Sequence, residues 1–164
     1  MIAKFNITDK DLIAQQKNAI KTTKFHRKAR IMVIVIYLLL SMFVLVIADL
    51  ITMFGFILSL ILSPILWKWY EVANIKRFKD ILEHNKNKLG VFTLNLSEEG
   101  FIKESRNLTE KIQWDDLKQL KEDGERYFLY LTDLQAITIK KEPENMNAEE
   151  VKTYQEFIKR KVIN

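Results

Sequence analysis

The chain of 164 residues contains no cysteine, two prolines and four glycines. Without cysteine there is no disulfide, no thiol nucleophile, no iron–sulfur cluster and no zinc–thiolate site. Four scattered glycines form no phosphate-cradling loop, dinucleotide fingerprint or nucleophile elbow. Charge is missing from one long stretch. Residues 31–67, IMVIVIYLLLSMFVLVIADLITMFGFILSLILSPILW, contain a single charged side chain, Asp49. The basic excess lies on both sides of that block. Residues 1–30 hold 8 basic against 2 acidic residues, and residues 68–90 hold 6 against 3. Residues 91–164 hold 12 against 15 and are net acidic. Positive charge that brackets an apolar block, rather than marking a folded face, argues against nucleic acid as a partner.

As one helix, the 37 apolar residues would be about 55 Å long, far beyond a hydrocarbon core of about 30 Å. Two spans fit, so the expectation is a helical hairpin: a first span over 31–48, a turn at Ala48–Thr52 and a second span over 52–69. Asp49 then falls between the spans, where a hydrated carboxylate can cap the second helix. Its competing reading is an intramembrane acid that moves protons or ions. Lys28 and Arg30 precede the first span, and Arg77 with its basic neighbours follows the second. The positive-inside rule puts both flanks, and both termini, in the cytoplasm. Trp67, Trp69 and Tyr70 form an aromatic belt at the same interface. The protein is therefore expected to be a multi-pass protein of the cytoplasmic membrane, with lipids as partners.

In the second span Gly55, Ser59 and Ser63 recur every four residues and present one small face. That face can seat the first span, or it can seat a second copy in a homodimer. Pro64 is expected to kink or loosen the helix.

The remaining segments read as soluble structure. Residues 2–7 (IAKFNI) alternate like a strand, and a basic helix capped at Thr8 or Asp9 runs toward the membrane. Residues 1–30 thus form an N-terminal piece of strand and helix. Residues 70–90 continue the second span and end in the polar HNKNKLG. From residue 91 the period changes to two. VFTLNL, FIKES, TEKIQW, residues 117–122, YFLYLT and AITIK read as strands of an antiparallel meander, with Gly100 and Asp123–Gly124 at turns. Asn147 can cap a last amphipathic helix over 147–161 that covers an open end or face of the sheet.

FTLNLSEEGFI (92–102), IQWDDL (112–117), YFLYLTDLQAITIKK (127–141) and the closing helix resemble the YcxB-like family of bacterial membrane proteins. Trp114–Asp115–Asp116–Leu117 is the most telling piece, and the likeness is expected to span the chain. It implies a pleckstrin-homology-like (PH-like) antiparallel sheet or barrel over 91–164, capped by the C-terminal helix. The expected architecture is a membrane helical hairpin plus a cytoplasmic α+β domain.

The sequence offers little for catalysis, cofactor or metal. His26 lies among cations. His84 stands four residues after Asp80, a two-ligand spacing without a third ligand. Asp115 and Asp116 are adjacent, which on a strand sends them to opposite faces. The alternating rings of Tyr127, Phe128 and Tyr130 are expected to leave one set outside the core. Those rings, Tyr127 or Tyr130, beside Asp115 and Asp116, form the expected interaction surface. The function expected is non-catalytic: a membrane protein whose cytoplasmic domain binds a protein or the lipid surface. The alternative is an immunity protein that protects against a membrane-acting bacterial toxin.

Overall fold

The computed structural model describes residues 1–47, 53–84, 89–105 and 108–163. Asp49 with the turn expected at Ala48–Thr52, and most of the linker expected at 84–90, lie outside the described residues. Among the described residues the architecture is α+β: two antiparallel sheets, four helices and a short 3-10 turn.

IAKFNI forms β1 (Ile2–Ile7), with Ala3, Phe5 and Ile7 buried and the residues between them exposed. Its partner lies on the other side of the apolar block. β1 pairs antiparallel with β2 (Gly90–Leu96), Phe5 opposite Phe92 and Ile7 opposite Gly90. β3 (Gly100–Glu104) and β4 (Thr109–Gln113) complete a four-stranded sheet in the order β1-β2-β3-β4. The N-terminal strand expected to stand apart is thus built into the sheet of the C-terminal segment, and the boundary drawn at residue 91 cuts that sheet. Neighbouring residues carry no sign of this pairing, because the apolar helices separate the two strands in the chain.

Gly100 also differs from expectation. It has no positive φ; Gly90 does, at 109°. A Cβ at Gly100 would collide with the Ile112 carbonyl oxygen on β4. Close approach of two strands, not a turn dihedral, requires glycine there.

A 3-10 turn at Trp114–Asp116 leads into the second sheet, β5 (Gln119–Glu122), β6 (Arg126–Tyr130) and β7 (Ala136–Lys140). Tyr127, Leu129, Ile137 and Ile139 face the core shared with the first sheet. α4 (Ala148–Ile163) closes that core with Tyr154 and Ile158, both fully buried. Asn147 caps it as expected, its Oδ1 accepting the Glu149 and Glu150 N–H groups at 3.0 Å. Trp114 lies between Phe101 and Phe157, ring centres 5.1 and 5.9 Å away, and its Nε1–H donates to Ser97 O at 2.9 Å.

The opposite face of the second sheet is covered by α1 (Asp9–Thr22). Ala14 and Ala19 pack on Phe128 and Tyr130, and Asn18 Oδ1 accepts the Tyr130 hydroxyl at 2.9 Å. Gln15 Oε1 accepts the Thr138 hydroxyl at 2.6 Å. The helix expected to run on toward the apolar block stops at Thr23, which is extended (φ −82°, ψ 147°). α2 (Lys24–Ile47) starts in a new direction, and its Phe25 N–H is taken by Asp133 of the β6–β7 turn at 2.8 Å.

α3 (Met53–His84) is one helix of 32 residues, about 48 Å long. It runs unbroken through Pro64. Antiparallel to α2, it brings Trp67 to Arg30 and Tyr70 to His26. Its last turns reach the strand domain, where Leu82 is buried in the core and Phe78 packs against it. Away from this base the apolar side chains face outward: Met32, Leu39, Phe43, Ile61 and Ile65 are each more than 60% exposed. Lys24–Val46 of α2 is long and apolar enough to cross a membrane.

Candidate binding surfaces

The surface expected from the sequence does not form. Tyr127, Phe128, Leu129 and Tyr130 are all at 0% exposure. The alternation is real, but each face has its own cover: the core on one side and α1 on the other. Burial pushes the Tyr130 hydroxyl up to about 12 and also raises those of Tyr127 and Tyr154. Asp115 and Asp116 are exposed in the 3-10 turn. Of the neighbouring acids, Glu122 is held by Lys141 at 2.9 Å and Lys159 at 3.7 Å. The hydrogen bond from Lys141 holds its carboxyl below the ordinary range. Asp123 pairs with Arg126 at 3.0 Å.

Arg126 is the centre of a cluster that no local pattern revealed. Its Nε donates to Asp11 at 2.6 Å, with the two side chains 14% and 3% exposed. Burial alone would raise the Asp11 carboxyl. Hydrogen bonds from the Thr8 N–H, Arg126 and the Thr8 hydroxyl outweigh it, and the carboxyl sits below its ordinary value. Asp11 thereby pins the start of α1 to the β5–β6 hairpin. A sequence hint exists only for the local half, Thr8 followed three residues later by an acid.

The strand domain has an open corner. A cavity of about 430 Å³ lies between β4, which among the described residues has no strand on its far side, and the β6–β7 turn. Leu12 and Gln15 of α1 and Phe78 of α3 close on it. Phe92, Ile112 and Ile137 line its apolar part, and Lys103, Glu110 and Lys111 supply charge. Lys103 Nζ stands 4.3 Å from the Phe92 ring centre. This mixed lining suits an amphipathic segment better than a small polar metabolite.

The other notable surface is the base of the helical pair. Lys28 and Arg77 are exposed there as expected, and so is Trp69, at 61%. Trp67 and Tyr70 are partly covered by α2. Arg30, expected as an interfacial anchor, is buried, with its guanidinium 4.1 Å from the Trp67 ring centre. His26, also buried, has Nδ1 2.9 Å from the Tyr70 hydroxyl.

Of the small-residue face, Ser59 is buried within the single chain and Ser63 is half-buried, its hydroxyl donating to Leu60 O at 2.8 Å. Gly55 lies in α3, but its surroundings are outside the described residues. His84 Nδ1 is 2.7 Å from the backbone oxygen of Asp80, not from its carboxylate.

Residues 96–158 match the model of the YcxB-like protein family. The matched stretch runs from the end of β2 into α4, so the likeness is shown for the strand domain and is narrower than the whole-chain likeness expected. No curated protein and no solved structure matches the chain.

Proposed function

We propose, with the YcxB-like match over residues 96–158 as premise, that this chain is a membrane-embedded, non-catalytic binding module of the cytoplasmic face. The observation that carries the reading is the contrast along α3. One continuous helix has exposed Ile61 and Ile65 at one end and buries Leu82 in the strand domain at the other. In water the first end costs about 25 cal/mol for each Å² of apolar surface left exposed; in hydrocarbon that cost disappears. Lys24, Arg27 and Lys28 on one helix, and Lys76, Arg77 and Lys79 on the other, gather at the domain end. That asymmetry supports a cytoplasmic domain. A four-stranded and a three-stranded antiparallel sheet, with a C-terminal helix closing their shared core, support the PH-like fold.

The partner fits a protein better than a lipid surface. Residues 91–164 are net acidic, and the open corner presents a strand edge beside apolar residues and charges of both signs. An extended peptide can add to such an edge through its backbone and place side chains in the cavity. Two measurements test this. The full chain is expected to stay with the membrane pellet through an alkaline carbonate wash. A photo-crosslinking residue at Leu134, exposed on the cavity rim, is expected to trap a protein in cells, whereas one at Asp115 is not. Release by carbonate would refute the embedded hairpin. Trapping at Asp115 alone would move the partner away from the open corner.

A further inference from the structure

At the base of the helical pair a cation is buried without an anion. Arg30 is 7% exposed, and its Nε is shielded from solvent with no hydrogen-bond acceptor. The nearby acids are committed elsewhere. Asp133 accepts the Phe25 N–H at 2.8 Å, and Glu71 pairs with Lys68 at 3.2 Å. Among the described residues, Arg30 forms no ion pair. The Trp67 ring face meets part of the charge, as a cation–π platform does. It leaves the Nε–H donor in the plane of the guanidinium unanswered.

The missing partner can be deduced from chemistry and place. A planar fork of donors matches the oxygens of a phosphate, which it can bind in bidentate fashion. Lys24, Arg27, Lys28 and Lys68 surround the site in sequence and make its field positive. It lies where the exposed apolar surface begins: Ile31 follows Arg30 directly and is 48% exposed, and Trp69, two residues after Trp67 in the chain, is 61% exposed. That boundary is the depth at which lipid phosphates sit against interfacial aromatic side chains.

We infer that Arg30 clamps a phosphate oxyanion, and that its source is a membrane phospholipid. Trp67 is the platform behind the guanidinium, and the His26–Tyr70 pair forms the polar wall beside it. The inference rests on the membrane reading above. It makes the lipid a structural ligand of the α2–α3 pair, held where Arg30 of one helix meets Trp67 of the other.

The test uses the full chain in mild detergent, titrated with phosphatidylglycerol and read by native mass spectrometry. The wild type is expected to hold one lipid molecule where Arg30→Gln binds it about tenfold more weakly. Lys28→Gln removes an exposed cation two residues away and is expected to stay within about twofold of wild type. If Arg30→Gln does not fold, Arg30→Lys carries the test. It retains the charge, loses the fork, and is expected to bind more weakly than Lys28→Gln. Inorganic phosphate alone, added in millimolar amounts, identifies the source. If it raises the melting temperature of the wild type but not of the variant, the site takes free phosphate and the lipid assignment falls. Equal lipid retention by Arg30→Gln and wild type, with phosphate shifting neither, would overturn the site itself. A chain recovered in the soluble fraction of lysed cells would refute the membrane reading, while the phosphate arm would still test Arg30.

Discussion

The strand domain and the helical pair use the same residue types in opposite ways. In the domain, Phe5, Phe92, Leu94, Leu129 and Ile139 are at 1% exposure or less. In the pair, Leu39, Phe43, Ile61 and Ile65 are above 60%. Apolar side chains are hidden in one half and displayed in the other, which is the contrast on which the proposed membrane placement rests. The contrast meets at α3, whose far end belongs to the domain core. It also means that the hairpin is not a tether: α2 starts on an Asp133 cap and α3 ends on Leu82, so both legs stand on the domain.

The largest expected effect is on the domain half. Residues 91–164 alone lack Ala3, Phe5 and Ile7, and lose the strand that pairs with β2 along its whole length. They are expected to show no cooperative melting transition by circular dichroism. Residues 1–22 joined by a flexible linker to 76–164, which keep Phe78 and Leu82 of α3, should restore one. A sharp transition for 91–164 alone would show that the first strand is an accessory.

Trp114→Ala removes an indole packed between Phe101 and Phe157 and should cost about 3–5 kcal/mol, measured by denaturant unfolding of the joined domain. An unchanged midpoint would mean that the ring is not part of the core.

Breaking the Asp11–Arg126 pair comes next. Arg126→Met leaves the buried Asp11 carboxylate with only Lys140, at 4.0 Å, as a cation partner and should cost about 3 kcal/mol. The folded-state carboxyl lies below its unfolded value, so its contribution is complete above the unfolded pKa of about 3.9 and fades as pH falls through the folded one. Wild type should therefore lose this part of its stability on acidification below about pH 4, and Arg126→Met should lose less. Parallel acid unfolding curves for the two proteins would contradict the pinning role of Asp11.

Smallest is Gly100→Ala, whose methyl group must push β3 away from β4; about 1–3 kcal/mol is expected by thermal melting. A neutral result would show that the two strands separate easily there.

What could be read in the sequence was local. VFTLNL, YFLYLT and AITIK carry the period of two, and they are strands. Asn147 announced the last helix, and the apolar run announced two long helices. Long-range placement was not legible. IAKFNI is visibly a strand, but nothing adjacent shows that Phe5 will meet Phe92. The rings at Tyr127 and Tyr130 alternate as expected, yet alternation cannot show that α1, drawn as a helix leading to the membrane, would lie across the second face. Arg30 resembled every other juxtamembrane cation, because its burial depends on Trp67 returning from 37 residues later. Asp11 and Arg126 are 115 residues apart, and a charge pair at that distance has no sequence signature.

The central claim is that one domain, assembled from both sides of the apolar block, stands on one face of a membrane. The absence of native cysteine makes it directly testable by single-cysteine labelling with an impermeant maleimide. Ala48→Cys should react in intact cells whose outer layers are permeabilised. Ile2→Cys on the first strand and Leu134→Cys on the β6–β7 turn, both exposed, should react only after the inner membrane is opened. Labelling of Ile2→Cys and Leu134→Cys from opposite sides would contradict the account, because the sheet that joins β1 to β2 cannot form across a bilayer.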